Sequence, residues 1–288
     1  MPKQQGGRHL GVNRSLAGDG LIFAVLACFG AFMLLPFIYA IAQSVKPIEE
    51  IFVFPPRFLA NHPTTENYRM LSHLTDSLWI PFSRYAANSI FVTVVGTLLN
   101  LIVASMAAFP LAKYKFPGSG FLFNIVVMAL LFTGPVTALP QYIVVAKTQL
   151  INTPWAVILP TVALPLGLFL MKNFMTQIND AMLEAARIDG AGIFRVFVSI
   201  CMPLVKPASF TLVIFSFQSL WNSTGGAYVY EEELKLLPTI LNQIATAGMS
   251  RVGPGAAAAG LMMIPSFLIF VLLQSRIIET MAFSGIKG

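Results

Sequence analysis

Charge is what this sequence has least of. Asp, Glu, Lys and Arg make up 10% of its 288 positions against 56% hydrophobic residues, where an ordinary soluble domain carries roughly 25% charged residues. So few charges cannot clothe a water-facing surface, and the composition points to a protein of the lipid bilayer. The two cysteines, Cys28 and Cys201, stand too far apart in sequence to form a short-spaced metal cluster or a disulfide framework. Three histidines, His9, His62 and His73, occur singly with no H-E-x-x-H or paired-cysteine context, which leaves metal chemistry without a ligand set. No G-x-x-x-x-G-K-[ST] run occurs, so the chain lacks a backbone cradle for nucleotide phosphates and is expected not to hydrolyse ATP itself. The net charge of +6 is scattered among apolar runs rather than gathered in a stripe, which argues against nucleic acid as a partner.

What the chain does have is apolar runs of membrane length. A helix needs about 20 mainly apolar residues to cross a bilayer. Six runs qualify or nearly so: 20–44, 86–112, 120–146, 154–171, 207–221 and 256–275. The fifth is short and borrows a turn from 204–206 or tilts little. Lys3, Arg8 and Arg14 before the first run resemble the start of a secretory signal, but a signal's apolar core is about 7 to 15 residues. The first run exceeds that and reads as a retained anchor.

Lys and Arg accumulate on the cytoplasmic side of membrane proteins. Of the 18 here, eleven fall on the side holding both termini, among them Lys113, Lys115, Arg187, Arg195 and Lys206. Both termini are therefore predicted to be cytoplasmic. The expected organisation is an N-terminal segment 1–19, a six-helix transmembrane domain 20–280 with its main cytoplasmic connection at 172–206, and a C-terminal tail 281–288. Prolines at 36, 110, 135, 140, 160, 165 and 265 lie in or beside the runs, where neighbouring helices can satisfy the freed carbonyls. Gly255, Ala259 and Gly260 offer a small face for close helix contact. The outer connections, near 45–85 and 222–255, are long and turn-rich.

None of the six runs contains an ionisable Asp, Glu, Lys, Arg or His. Ion-coupled carriers usually place such groups at membrane depth, so the energy for any pumping has to come from elsewhere. An ion-coupled secondary carrier or channel acting alone is the competing reading. A membrane-embedded enzyme is disfavoured, because the runs hold no constellation of acid, base and nucleophile.

Within 172–206, residues 179–188 are rich in helix formers, with Asn179 or Asp180 placed to cap the start. Asp189-Gly190-Ala191-Gly192 then stops the helix, since glycine supplies the left-handed angles of a helix end. A second short apolar segment, 193–202, leads through Pro203 and Pro207 into the fifth run. Physics alone reads this as a helix-turn-helix at the cytoplasmic surface, serving either as a linker or as a docking surface on which small Ala185 and Ala186 let a partner approach.

Glu184-Ala185-Ala186, three residues, Gly190, nine residues, Ile200, one residue, then Met202-Pro203 resembles the signature loop of bacterial ABC importer permeases. Met202 departs from the usual leucine while preserving volume and hydrophobicity, and Asn179 stands where proline is frequent. The wider chain, from Asp19 to Gly288, is similar to the second permease of carbohydrate importers, the maltose-permease-like class. Asn152-Thr153-Pro154-Trp155, Trp221-Asn222, Leu237-Pro238 and the terminal Ser284-Gly285-Ile286-Lys287-Gly288 support that likeness.

The resemblance implies an all-α, polytopic membrane protein with six transmembrane helices and a cytoplasmic coupling helix, in the bacterial cytoplasmic (inner) membrane. Glu184, Ala185, Ala186, Asp189, Gly190, Ile200 and Pro203 are then the coupling residues for a cytoplasmic ABC ATPase dimer, which holds the ATP and Mg. Gly285, Lys287 and Gly288 are a secondary ATPase contact. It further implies a homologous second permease subunit and an extracytoplasmic solute-binding protein that delivers a sugar or oligosaccharide, docking on the outer connections near 225–233. Because sugars are held by aromatic stacking and amide hydrogen bonds, Gln141, Tyr142, Gln218, Trp221 and Asn222 are the substrate-path candidates. Trp221 reads equally well as an interfacial anchor.

Overall fold

The computed structural model describes residues 16–284 apart from Ser77 and Thr133, and the side chains of 18–275. Regular structure among the described residues is entirely helical. The chain opens with α1 (Leu16–Ser44), whose apolar side chains are exposed along most of its length. A helix apolar on every side is one that lipid or another subunit covers. Two short helices follow, α2 (Ile48–Ile51) and α3 (Glu66–Asp76). From α3, the buried Asn67 donates its amide to Ser44 O at 3.0 Å and Lys46 O at 2.7 Å, satisfying carbonyls that the end of α1 leaves without helical partners.

Helix α4 (Phe82–Lys113) is the central element. Its buried face is built from small and polar residues, including Ser89, Thr93, Gly96, Thr97, Asn100, Ala104 and Ala108. Short side chains let neighbouring helices approach closely, as is usual where lipid supplies no hydrophobic drive between helices. The helices that exploit this are α7 (Trp155–Val162), α8 (Pro165–Thr176) and α12 (Lys206–Trp221), all of which pack on α4.

The third run is not one helix. In place of the expected 120–146, α5 (Ser119–Ala129) and α6 (Gly134–Lys147) meet at 112°. Pro135 lacks an N–H and its ring crowds the carbonyl four residues earlier, which favours a break at this junction, although α1, α6 and α14 run on through Pro36, Pro140 and Pro265. The fourth run ends later than expected: Trp155–Thr176 reads as one span of 22 residues with a break before Pro165. Lys172, expected at the start of the connection, lies inside it. The ammonium of Lys172 sits 4.0 Å from the ring centre of Phe123 on α5.

Next come α9 (Asp180–Ile188), α10 (Ile193–Val196), a π-helical turn at Phe197–Cys201 and α11 (Met202–Leu204). The segment Ile193–Leu204 meets α12 at 80°. Helix α12 borrows only Lys206 from the preceding turn. The chain closes with α13 (Leu237–Thr246) and α14 (Val252–Ser284). Among the described residues, four helices are long and apolar enough to cross a membrane, Gly18–Ser44, Phe82–Lys113, Trp155–Thr176 and Met249–Ser275, or up to six if each bent pair is one span.

The long connections are more ordered than their turn residues suggest. Helix α13 buries Leu237, Ile240, Leu241 and Ile244 on one stripe, packing them against Tyr85, Trp221, Ala257 and Ala258. The small face foreseen on the last helix receives these connections: a Cβ on Gly255 would lie 2.9 Å from Ala245 Cα of α13, and one on Gly260 would lie 3.2 Å from the Tyr68 hydroxyl of α3.

Candidate functional site

Helix α9 is closed at both ends by its own sequence. At the start, Asn179 Oδ1 accepts the backbone N–H of Ala181 at 3.0 Å. At the end, Gly190 takes φ +85°; its N–H donates to Arg187 O at 3.0 Å, and the N–H of Ala191 donates to Ala186 O at 2.9 Å. That pair of bonds is the Schellman closure, which satisfies carbonyls a helix end would otherwise leave open.

The helix is also clamped to α4. Leu183, buried, and Ala186, partly buried, enter a core with Ala104, Ala108 and Phe109 of α4 and Met171 and Met175 of α8. Lys113 Nζ donates to Asp180 Oδ1 at 2.7 Å and to Ile178 O. The guanidinium of Arg187 lies over the Tyr114 ring, 5.1 Å from its centre, and donates to its hydroxyl. The hydrogen bond and charge of Lys113 hold the Asp180 carboxyl below the ordinary carboxylate range, with a smaller pull from Lys115.

What α9 leaves outward is the other half of the motif. Glu184, Ala185, Asp189 and Gly190 are exposed beside Met182 and Ile188, the latter 86% exposed. Ile193 and Phe194 extend the apolar patch at 60% and 73% exposure. Ile200 packs partly against the core and Pro203 is exposed. The seven motif residues therefore lie on one corner, with Ala186 and Ile200 packed inward and the rest exposed. Gly285, Lys287 and Gly288 lie outside the described residues.

At the opposite end of α4 a second cluster holds the segment that precedes α13. Tyr85 Oη donates to Glu232 Oε1 at 2.8 Å. Asn88 Nδ2 donates to Glu233 O at 2.8 Å and Lys235 O at 3.1 Å, and Ser89 Oγ accepts the N–H of Leu237 at 2.7 Å. Partial burial pushes the Glu232 carboxyl up, but the bonds from Lys235 and Tyr85 outweigh it and hold the carboxyl below its ordinary value. Asn152, at φ +58°, accepts the N–H of Tyr230 at 2.7 Å and donates its own to Tyr228 O at 2.9 Å. Sequence reasoning missed Asn152 as an anchor, although Asn is among the few residues that adopt left-handed angles readily.

The five path candidates fall in three places. Gln218 and Asn222 line a cleft of about 630 Å³ between α1, α12, α13 and α14, together with Asn242, Ser266 and Phe267. Trp221 is buried in packing: its indole N–H donates to Met262 O at 3.0 Å and its ring stacks on Phe217 at 6.0 Å. Gln141 and Tyr142 lie on α6, where Tyr142 stacks on Tyr228 at 6.3 Å. Asn242 and Ser266 were not singled out from sequence. Asn242 was readable as a polar residue between the apolar positions of α13.

The family model for the binding-protein-dependent transport system inner membrane component matches residues 79–282. Protein LplC of Bacillus subtilis (strain 168) is 32% identical over 280 residues, covering 90% of this chain and 91% of its own. The polygalacturonan/rhamnogalacturonan transport system permease protein YtcP of the same organism is 30% identical over 290 residues, covering 94% of this chain and 98% of its own. Among solved structures, a bacterial ABC transporter involved in the import of the acidic polysaccharide alginate has a chain of the same fold. The TM-score is 0.73 at 23% identity, with 92% of this chain and 98% of that chain covered.

Proposed function

The chain belongs to the family of binding-protein-dependent transport system inner membrane components, and from that premise we propose the part it has in transport. As a family member it is a membrane permease subunit of an ABC importer rather than an enzyme. The placement of its lysines and arginines and the breaks in its helices support the following organisation. The chain crosses the bacterial cytoplasmic membrane six times, each bent pair counting as one crossing, with the α9 corner and both termini in the cytoplasm. Its domain is 20–280, flanked by a cytoplasmic segment 1–19 and tail 281–288.

The α9 corner docks into a cytoplasmic ABC ATPase dimer, which holds the ATP and Mg. Glu184, Ala185, Asp189, Gly190 and Pro203 face that partner, while Ala186 and Ile200 seat the corner in the permease. Gly285, Lys287 and Gly288 form the secondary ATPase contact. A homologous second permease supplies the other half of the translocation path. An extracytoplasmic solute-binding protein docks on the outer connections near 225–233. The cargo is a sugar or oligosaccharide: the relative YtcP is named for pectic polysaccharides, and the cleft beside Gln218, Asn222 and Asn242 pairs amides with Phe267, the chemistry that holds sugars. Gln141 and Tyr142 guide it at the outer side, and Trp221 braces the cleft wall from behind.

The observation that carries this reading is that α9 is capped at both ends and bonded to the end of α4. A helix capped at both ends and bonded to α4 transmits displacement, where a loose linker dissipates it. The test is a mild-detergent capture of the chain from its native membrane, wild type against Gly190→Pro, with partners identified by mass spectrometry. Wild type is expected to retain an ATPase and a second permease, and Gly190→Pro to lose the ATPase. Wild type captured alone overturns the reading.

A further inference from the structure

Helix α4 and its capping residue make the polar bonds of two segments that lie at opposite ends of the protein. At its start, Tyr85, Asn88 and Ser89 hold Glu232, Glu233 O, Lys235 O and the N–H of Leu237. At its end, Lys113 and Tyr114 hold Asp180, Ile178 O and Arg187. The helix's 32 residues span about 48 Å at about 1.5 Å per residue, which sets Tyr85 and Lys113 about 42 Å apart.

The middle of the same helix is bonded as well. Asn100, 1% exposed, donates to Thr161 O at 2.9 Å and Val162 O at 3.1 Å, and its Oδ1 accepts the Ser216 hydroxyl at 2.9 Å. Thr161 O is the carbonyl that Pro165, lacking an N–H, cannot bond. One amide thus ties α4 to the break in the fourth crossing and to α12. Space for it is kept by Gly167, where a Cβ would sit 3.1 Å from Asn100 Oδ1.

Continuity separates α4 from the bent or broken crossings, as it does α1 and α14. The third and fifth crossings bend by 112° and 80°, and the fourth breaks before Pro165, whereas α4 runs unbroken with its one proline, Pro110, in the last turn. Bent elements absorb displacement, and a continuous helix bonded at both ends passes it on.

We propose that α4 is the strut that carries docking at the outer connection to the coupling helix, with Tyr85 and Asn88 as positioning residues at one end and Lys113 at the other. This rests on the importer reading above. Displacement of the segment 231–237 by a docked binding protein pulls the start of α4 through Tyr85 and Asn88, and Lys113 and Tyr114 deliver the shift to α9.

The experiment uses the whole importer, captured through a tag on this chain and reconstituted in vesicles with its co-purifying solute-binding protein. ATP hydrolysis is read as inorganic phosphate released with and without that protein. Two variants probe the strut: Tyr85→Phe/Asn88→Ala opens the outer clamp, and Val94→Gly/Leu98→Gly softens the shaft at two exposed positions without touching either clamp. In both, binding-protein affinity and basal hydrolysis are expected to stay within about two-fold of wild type, while stimulation falls about five-fold or more. Full stimulation in either variant overturns the strut, as does loss of the ATPase from the purified complex, which would make α4 a fold element only. A wild-type complex that holds its ATPase but shows no stimulation overturns the strut alone, whereas a wild-type chain captured without an ATPase sinks the importer reading, and the inference with it.

Discussion

The ammonium of Lys113, on a side chain only 3% exposed, lies 2.7 Å from the carboxylate of Asp180, whose side chain is 73% exposed. The pair joins the end of α4 to the first turn of α9. An exposed ion pair contributes little. Here the buried partner makes the difference, because deleting Asp180 takes away the carboxylate that faces the buried ammonium and leaves its bond to the Ile178 carbonyl.

Attachment of α9 is expected to depend on pH through this contact. Asp180 is depressed below its ordinary 3.8 by Lys113, so its contribution is complete above that value and is lost as pH falls through the lowered folded value. Protection of the 181–188 amides from hydrogen exchange should be flat between about pH 8 and about pH 5 and fall in stronger acid. Asp180→Asn should lower protection at neutral pH and remove the acid step. An acid step that persists in Asp180→Asn would assign it to another group.

Gly190 has open space where a Cβ would go, so its constraint is purely conformational. Gly190→Ala should cost about 1 kcal/mol from the left-handed angle alone, and Gly190→Asn less, since Asn tolerates that region. Unfolding in mixed detergent micelles measures both. Equal stability of Gly190→Ala and wild type would mean the turn relaxes without loss.

Asn100→Leu should remove three hydrogen bonds at once, taking from the Val162 carbonyl and the Ser216 hydroxyl the bonds Asn100 makes to them, while Thr161 O keeps the N–H of Leu164 at 3.2 Å. A loss of about 1–3 kcal/mol is expected. Ser216→Ala, which leaves the carbonyl bonds intact, should cost about 0.6 kcal/mol, the average for polar contacts between membrane helices. The same unfolding assay ranks them, and Ser216→Ala as damaging as Asn100→Leu would remove Asn100 from its central place.

How much of this was readable beforehand depends on the range of the forces involved. The first, second and last crossings follow from local composition, and α9 was fixed by Asn179 and Gly190, whose effects are local to their own turns. The break between α5 and α6 was signalled by Pro135, yet hydropathy alone ran straight through it. Helix α13 carried its apolar stripe at 237, 240, 241 and 244, obscured by the surrounding turn residues. Asn100, Asn152 and the Tyr85–Glu232 bond were out of reach, because each depends on partners more than 60 positions away in the chain. Trp221 shows the same limit: its place at a helix end was plain, but its bond to Met262 O was not.

The cleft gives a transport prediction. Gln218→Leu and Asn242→Leu keep side-chain volume while removing amides that line it, so carbohydrate uptake should fall about ten-fold, the loss of roughly 1.4 kcal/mol of polar contact. Co-purification of the ATPase should be unchanged. Unaltered uptake in the double variant would move the path away from this cleft.

The central claim is that the α9 corner meets an ATPase, and cross-linking from Ile188 tests it most directly. Ile188 is 86% exposed and Leu59, on the opposite connection, is 59% exposed. Ile188→p-benzoylphenylalanine, irradiated in native membranes, is expected to join this chain to a cytoplasmic ATPase, while Leu59→p-benzoylphenylalanine is not. An ATPase cross-link from position 59, or none from position 188 in a chain that still supports uptake, would contradict the account.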